Sequence, residues 1–233
     1  NQPSFREYIM SEVNLIAVSK PSAMTGCTSA EELVAYAARV SNPENQSNPK
    51  TAPKLLGYLA KNDHWSPFEM VSMTMEIVTT RDISRQILRH RSFAFQEFSQ
   101  RYAVSTSFSQ REARLQDKSN RQNSVENTDK ALAEDWNMKQ AKVIFDANSA
   151  YEWALDNGIA KEQARAVLPE GNTETTLYMA GSLRSWIHYC QLRMTNGTQK
   201  EHMVVARQCW NIVHAHFPSV VKTMNEIDAA KSR

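Results

Sequence analysis

Residues 71–79 alternate apolar and polar side chains. Val71, Met73, Met75 and Ile77 point one way, and Ser72, Thr74 and Glu76 the other. A period of two is that of a half-buried strand, most simply an antiparallel one. Residues 1–20 alternate more weakly through Val13, Leu15 and Ala17 and predict a first strand. Residues 173–180 predict another. Residues 91–102 have strand-like composition but broken alternation, which predicts an irregular or bulged strand.

The remaining apolar positions recur at helical spacing. Thr28-Ser29-Ala30-Glu31-Glu32 reads as a capping box opening a helix over 29–41, with Leu33, Ala37 and Val40 inward. Thr51 is placed to cap a second helix through Leu55, Leu56 and Leu59. Asp82 is placed to cap a short helix over 83–90 that puts Arg85 and Arg89 on one face. Thr128 or Asn127 opens a long helix ending at Asn157, with Leu132, Trp136, Val143, Ala147, Tyr151 and Ala154 near one stripe. That makes it the expected central core helix, and Gly158 suits the position past its end. A short helix over 161–168 stops at Pro169. Ser182 caps a helix reaching Met194, and a last long helix runs about 199–216. Helices and half-buried strands interleave, so the expected class is α+β, a mostly antiparallel sheet flanked by helices, forming a single domain over 1–233. Residues 103–128 are rich in Ser, Gln, Asn, Arg and Asp and are expected as a flexible loop, a flap over a site.

Composition narrows the function. The chain has 233 residues, 41% hydrophobic and 22% charged, with a formal net charge of only +2. A general nucleic-acid binder carries a strongly basic face, so none is expected here. Cys27, Cys190 and Cys209 lie at no metal or redox spacing and read as small buried hydrophobes in a reducing, intracellular setting. No run approaches the roughly eighteen apolar residues of a membrane span, and the N-terminus shows no signal-peptide pattern. No metal site is expected.

The chemistry concentrates in 86–102, which holds Arg89, His90, Arg91, Glu97, Ser99, Arg101 and Tyr102 among Phe93, Phe95 and Phe98. Guanidinium forks suit phosphate, because they donate two parallel hydrogen bonds and keep their charge. The plain structural explanation is a solvated basic face, or ion pairs with Glu97 and Asp82. The interleaved phenylalanines weigh against it. No glycine cradle for nucleotides is present, so a nucleotide would be held by arginines. Ser99 lacks a nucleophile elbow and reads better as a ligand hydrogen-bond partner. On the helix after Ser182, Arg184, His188 and Gln191 form a polar stripe, with Arg193 near its end. His64 and His188 are the better-placed histidines, while His202 reads as surface. A rival to an enzyme is a single-stranded nucleic-acid-binding module that uses the arginine–aromatic segment.

Arg89-His90-Arg91, seven further residues and Ser99 resemble the signature of the flavin-dependent thymidylate synthases. The resemblance continues through Glu97-Phe98-Ser99-Gln100-Arg101-Tyr102, His64-x-Ser66-Pro67-Phe68-Glu69, Ala164-Arg165-x-x-Leu168-Pro169, the helix from Ser182 to Leu192-Arg193, and Gln199-x-Glu201. The sequence departs from the family pattern at Gln96 and His188, where asparagine is common. The resemblance implies methylation of dUMP to dTMP without a covalent enzyme nucleophile. Methylenetetrahydrofolate would supply the carbon, and NADPH would reduce a tightly bound FAD. It implies a homotetramer with shared sites in the cytoplasm (that of the host, for a viral source). It implies that Gln86, Arg89, Glu97, Ser99, Gln100, Arg101, Arg165 and Arg193 bind dUMP, Arg193 being catalytic beside the uracil. Ser66, Glu69, Arg89, His90, Arg91, Glu97, Ser182, Arg184 and His188 would contact FAD, with His64 near the flavin where folate stacks.

Overall fold

The computed structural model describes residues 4–6, 11–105 and 107–231. Its centre is a four-stranded antiparallel sheet in the order β2 (Glu12–Val18), β3 (Ser72–Thr80), β8 (Glu174–Ser182), β4 (Ala94–Glu97). The strong alternation of β3 is realised: Met73, Met75 and Ile77 are fully buried, opposite Gly181, Met179 and Leu177 of β8. Each such side chain contributes about 1.5–3 kcal/mol by leaving water. On the outer face Tyr178 donates its hydroxyl to Glu76, its directly opposed neighbour, at 2.9 Å. The weak alternation of β2 has a local cause. Its register slips between Leu15 and Ala17, and Ile16 is left 53% exposed.

Helices α1 (Ala30–Ala38), α2 (Ala52–Lys61), α6 (Leu183–Arg193), α7 (Lys200–His216) and α8 (Pro218–Lys231) share the main core with β3 and β8. The capping box forms as expected: Ser29 Oγ accepts from Glu32 N–H at 3.1 Å, and Glu32 accepts from Thr28 N–H at 2.6 Å. The buried face of α1 is Ala30, Val34 and Ala35, and Val40, expected inward, lies beyond the helix and 71% exposed. Thr51 does not cap α2, because its hydroxyl accepts from the Arg39 guanidinium at 2.8 Å. Glu31 reaches across to accept from Ser219 and Val220 N–H at 2.8 and 3.2 Å, tying down the start of α8.

Three expectations are corrected. The helix α3 (Arg81–Ile87) starts after Thr80, not at a capping Asp82, and ends before Arg89; Arg85 and Arg89 therefore do not share a helical face. The long helix α4 (Lys130–Asp156) is capped by Asp129, which accepts from Leu132 N–H, and it is not the central core helix. Its buried face is rotated to Gln140, Ile144, Asn148 and Tyr151, and Leu132, Trp136 and Val143 remain 43–52% exposed. It packs a satellite cluster with Phe108, Ala164 and Leu168, outside the main core. The segment 103–128 contains three short strands. These are β5 (Ser107–Ser109), parallel to β1 (Ser4–Arg6), and the hairpin of β6 (Arg114–Gln116) with β7 (Ser124–Glu126). The short α5 (Lys161–Ala164) continues as a 3-10 turn to Val167, before Pro169.

Candidate active site

The segment that carries the signature leaves α3, turns through Arg89, His90 and Arg91, and enters β4 at the sheet edge. Phe93 anchors it. Its ring lies over Gly181 of β8, where an added Cβ would meet it at 2.4 Å, and packs edge-on against Trp186 at 4.8 Å. Glycine at 181 is therefore required for close approach rather than for conformation.

The acids expected to neutralise the signature arginines are occupied elsewhere. Glu97 accepts from Ser84 and Thr175 hydroxyls at 2.8 and 3.1 Å and pairs with Arg85 at 3.2 Å. Asp82 pairs with Arg111 at 2.6 Å. Among the described residues no ion pair holds Arg89, Arg91, Arg165 or Arg193. Two of these four, Arg89 and Arg91, belong to the signature, and Glu97 acts within the chain, fixing β4 to α3 and β8.

Among the described residues, most of the other candidates fall into three networks, which Arg89 and Arg91 do not join. Ser99, Arg101 and Arg165 gather around Glu162. The Arg101 guanidinium meets the Glu162 carboxylate at 3.2 Å, Arg165 Nε donates to the Glu162 carbonyl at 3.3 Å, and Ser99 Oγ accepts from Arg101 N–H. Between them Gln100 is 4% exposed, and its Nε2 has no hydrogen-bond partner among the described residues. A buried amide left so costs about 1–3 kcal/mol, which marks it as a donor awaiting an acceptor.

The second network joins the signature to α6 and α7. Arg193 Nε donates to His90 Nε2 at 2.9 Å. His90 packs edge-on against Tyr189 at 4.9 Å. Tyr189 hydrogen-bonds His202 at 3.1 Å, and His202 hydrogen-bonds Gln86, whose Nε2 donates to Gln199 at 2.8 Å. His202 is not a surface residue. It falls on the buried stripe of α7 with Val205, Ala206, Cys209 and Val213. Burial, then the charge of Arg193, lowers the pKa of His90 to about 4 and that of His202 to about 3, against an ordinary 6.5. The unfolded chain binds these protons near pH 6.5, and the folded protein refuses them until about 4 and 3. Their contribution to stability is complete above about pH 6.5 and is lost as pH falls through that window. The melting temperature is therefore expected to drop between pH 6.5 and 4, and less steeply in His202→Phe. Identical slopes in the two proteins, measured by calorimetry, would remove His202 from this effect.

The third network brings Glu69, Ser182 and Arg184 together. Arg184 donates to Glu69 at 2.9 Å, and the Ser182 hydroxyl, then Arg184, hold the Glu69 carboxyl below its usual range. Ser182 also caps α6 by accepting from Ser185 N–H. Beside them a cavity of about 420 Å³ is lined by Trp65, Glu69, Ser92, Arg184, His188 and Gln191, with Ile187 and Met224 as its apolar part. His64 is exposed beside Tyr58, and Ser66, also exposed, opens the 3-10 turn that leads into β3.

A larger cavity of about 570 Å³, between the β6–β7 hairpin and α4, meets these networks only through Gln199. Its Arg111 and Arg114 are committed to Asp82 and Ser124. Sequence reasoning missed Tyr189, His202, Arg111 and Glu162. The spacing of His202 from Val205, Ala206 and Cys209 was the one available signal. Among the described residues no cluster of His, Cys, Asp or Glu is arranged to hold a metal, and no helix is long and apolar enough to cross a membrane.

Residues 24–219 match the family model described as thymidylate synthase complementing protein. The chain is 50% identical over 212 residues to the probable flavin-dependent thymidylate synthase of Paramecium bursaria Chlorella virus 1, covering 91% of this chain and 97% of that one. It belongs to the flavin-dependent thymidylate synthase family. A second family member, from Synechocystis, is 49% identical over 215 residues, covering 91% of this chain and 99% of its own. The fold agrees. The UMP/dUMP methylase PolB from Streptomyces cacaoi, bound with 5-Br UMP, superposes with a TM-score of 0.81 at 26% identity, covering 95% of this chain and 96% of that one. These relatives give the nucleic-acid-binding alternative no support. The resemblance read from the signature and the α+β expectation both hold.

Proposed function

We propose that this protein methylates dUMP to dTMP reductively, with methylenetetrahydrofolate as carbon donor, FAD as bound cofactor and NADPH as its reductant. The observation that carries the reading is Arg193, a half-buried guanidinium with no carboxylate partner among the described residues, oriented by a neutral His90. A fixed positive charge beside the uracil favours ionisation at N3, and the electron density this releases into the ring activates C5 for attack on the carbon donor. No enzyme nucleophile is needed, and the residues agree. Ser99 Oγ accepts a backbone N–H and has no histidine base, and burial pushes the Cys190 and Cys209 thiols up.

Ser99, Gln100, Arg101 and Arg165 form the nucleotide clamp on one side. Gln86, Arg89 and Arg193 serve the other. The residues around the 420 Å³ cavity fit a flavin, offering an indole wall, aliphatic contacts, and the donors Arg184, His188 and Ser92. Ser66, Glu69, Ser182 and the Arg89–His90–Arg91 turn would complete its contacts, with His64 at the outer edge. FAD, when bound there, supplies the reducing equivalents, and the protein orients the rings and excludes water.

A homotetramer with shared sites is supported by two features. The nucleotide clamp around Arg101 and Arg165 and the flavin residues Glu69, Ser182 and Arg184 form separate networks within one chain. Helix α4 also carries Met138, Phe145 and Trp153, 60–62% exposed, on the face turned from its own core. Such a face calls for a partner. The purified protein is expected to be yellow with a flavin absorption band, and to form dTMP from dUMP, methylenetetrahydrofolate and NADPH. A colourless protein that takes up no added FAD would sink the reading.

A further inference from the structure

The buried second network has a direction, and its direction constrains what Gln86 can bind. Tyr189 is fully buried beside Trp186, Cys190 and Cys209, and its hydroxyl meets His202 Nε2 at 3.1 Å. His202 is itself fully buried, and burial keeps its imidazole neutral, with one N–H and one lone pair. Were His202 to donate from Nε2, the Tyr189 proton would be left unpaired among apolar groups and thiols. With Tyr189 donating, both buried residues are satisfied. The His202 proton then sits on Nδ1 and is donated to Gln86 Oε1, 3.3 Å away. Gln86 therefore has its carbonyl occupied on the core side and its NH₂ turned outward. One N–H goes to Gln199 Oε1 at 2.8 Å, and the other remains.

We propose that His202 is a positioning residue that, with Tyr189, fixes the Gln86 amide as a hydrogen-bond donor toward an acceptor oxygen of the nucleotide. This rests on the reading of Gln86 as nucleotide-facing. Without the chain from the core, the amide is held only by Gln199, whose own amide pairs with either end of Gln86, and either the carbonyl or the NH₂ of Gln86 meets the ligand.

The first test needs no ligand. In the FAD-loaded protein with ¹⁵N-labelled histidine, His202 is expected as the Nδ1–H tautomer, the minor form of free histidine. An Nε2–H tautomer overturns the proposal. The second test is calorimetric titration of dUMP into the FAD-loaded wild type, His202→Phe, Tyr189→Phe, Gln86→Ala and His202→Phe/Gln86→Ala. Loss of one oriented hydrogen bond is expected to weaken dUMP binding about tenfold in His202→Phe and Gln86→Ala. The double variant is expected to be no weaker than Gln86→Ala, because His202 acts through Gln86. Steady-state kinetics of His202→Phe should show the change in KM with kcat within about threefold. Tyr189→Phe keeps the core shape and is expected to lose part of the same affinity, which guards against misfolding of His202→Phe. Additive losses overturn the coupling. Full affinity in Gln86→Ala overturns the role of Gln86 while leaving dUMP chemistry intact, and absence of dUMP binding to wild type defeats the functional reading itself.

Discussion

Arg193→Ala is expected to lower kcat for dTMP formation by about two to three orders of magnitude, the usual cost of removing one preorganised group that stabilises transition-state charge. The argument starts from the surroundings of the guanidinium. It is the last residue of α6, it has no ion-pair partner among the described residues, and its one recorded side-chain bond is donated to His90. Its charge is therefore available to a ligand. The fold should survive, because the group lost is half-buried and the imidazole it leaves is itself reachable by water. Two further readouts separate this role from a structural one. Removing the cation beside His90 takes away a repulsion that lowers its pKa, so that pKa must rise toward 6.5 in the variant, which histidine NMR can follow. Arg193→Lys keeps the charge but loses the rigid Nε–H that His90 accepts, and should fall between wild type and Arg193→Ala. Turnover within threefold of wild type in Arg193→Ala, with the protein folded and yellow, would remove Arg193 from the chemistry.

The parts of this molecule that were legible in the sequence are those in which neighbouring residues decide their own structure. The period of β3, the Ser29–Glu32 box, and the opening of α6 at Ser182 all follow from local pattern and local hydrogen bonds. The site was legible as a list because arginines bunched among phenylalanines have few structural uses. What the list did not contain was which arginines are already spent. Arg85, Arg101, Arg111 and Arg184 have carboxylate partners, and Arg89, Arg91, Arg165 and Arg193 have none among the described residues. That distinction depends on contacts across the fold. Helix α4 failed for the same reason. Its apolar residues predict one buried face, but the face with Gln140 is buried instead, because Gln140 hydrogen-bonds the backbone of Arg111 and the side chain of Asn172. A polar residue recruited by a distant partner outweighs the local stripe. His202 is the counterpart in α7, a polar residue at a core position whose partners, Tyr189 and Gln86, lie on other helices.

Arg111→Met is expected to destabilise the protein by about 2–4 kcal/mol, a large effect for a change outside the site and the main core. Arg111 lies in a segment whose composition advertises a loop, yet it joins five parts of the fold. Its guanidinium pairs with Asp82 at 2.6 Å and Glu201 at 3.5 Å, donates to the Thr80 hydroxyl, and donates from Nε to the Gly171 carbonyl at 3.2 Å. Its backbone N–H and carbonyl are both held by the Gln140 amide of α4, at 2.7 and 2.9 Å. Methionine fills much of the volume but leaves two carboxylates facing each other without a cation. Breaking a fully buried pair costs about 3–5 kcal/mol. The figure is discounted here because the Asp82 side chain keeps 31% of its surface and Glu201 19%. For a chain of this size the loss corresponds to a melting temperature lower by roughly 5–15 °C, measurable by calorimetry of the FAD-loaded protein. Adding Asp82→Leu should recover part of it, since one stranded charge is then gone. A fall of less than about 2 °C in Arg111→Met would mean that the two carboxylates find water instead, and that β5 and the β6–β7 hairpin are held in place by Phe108 and the Gln140 clasp rather than by charge.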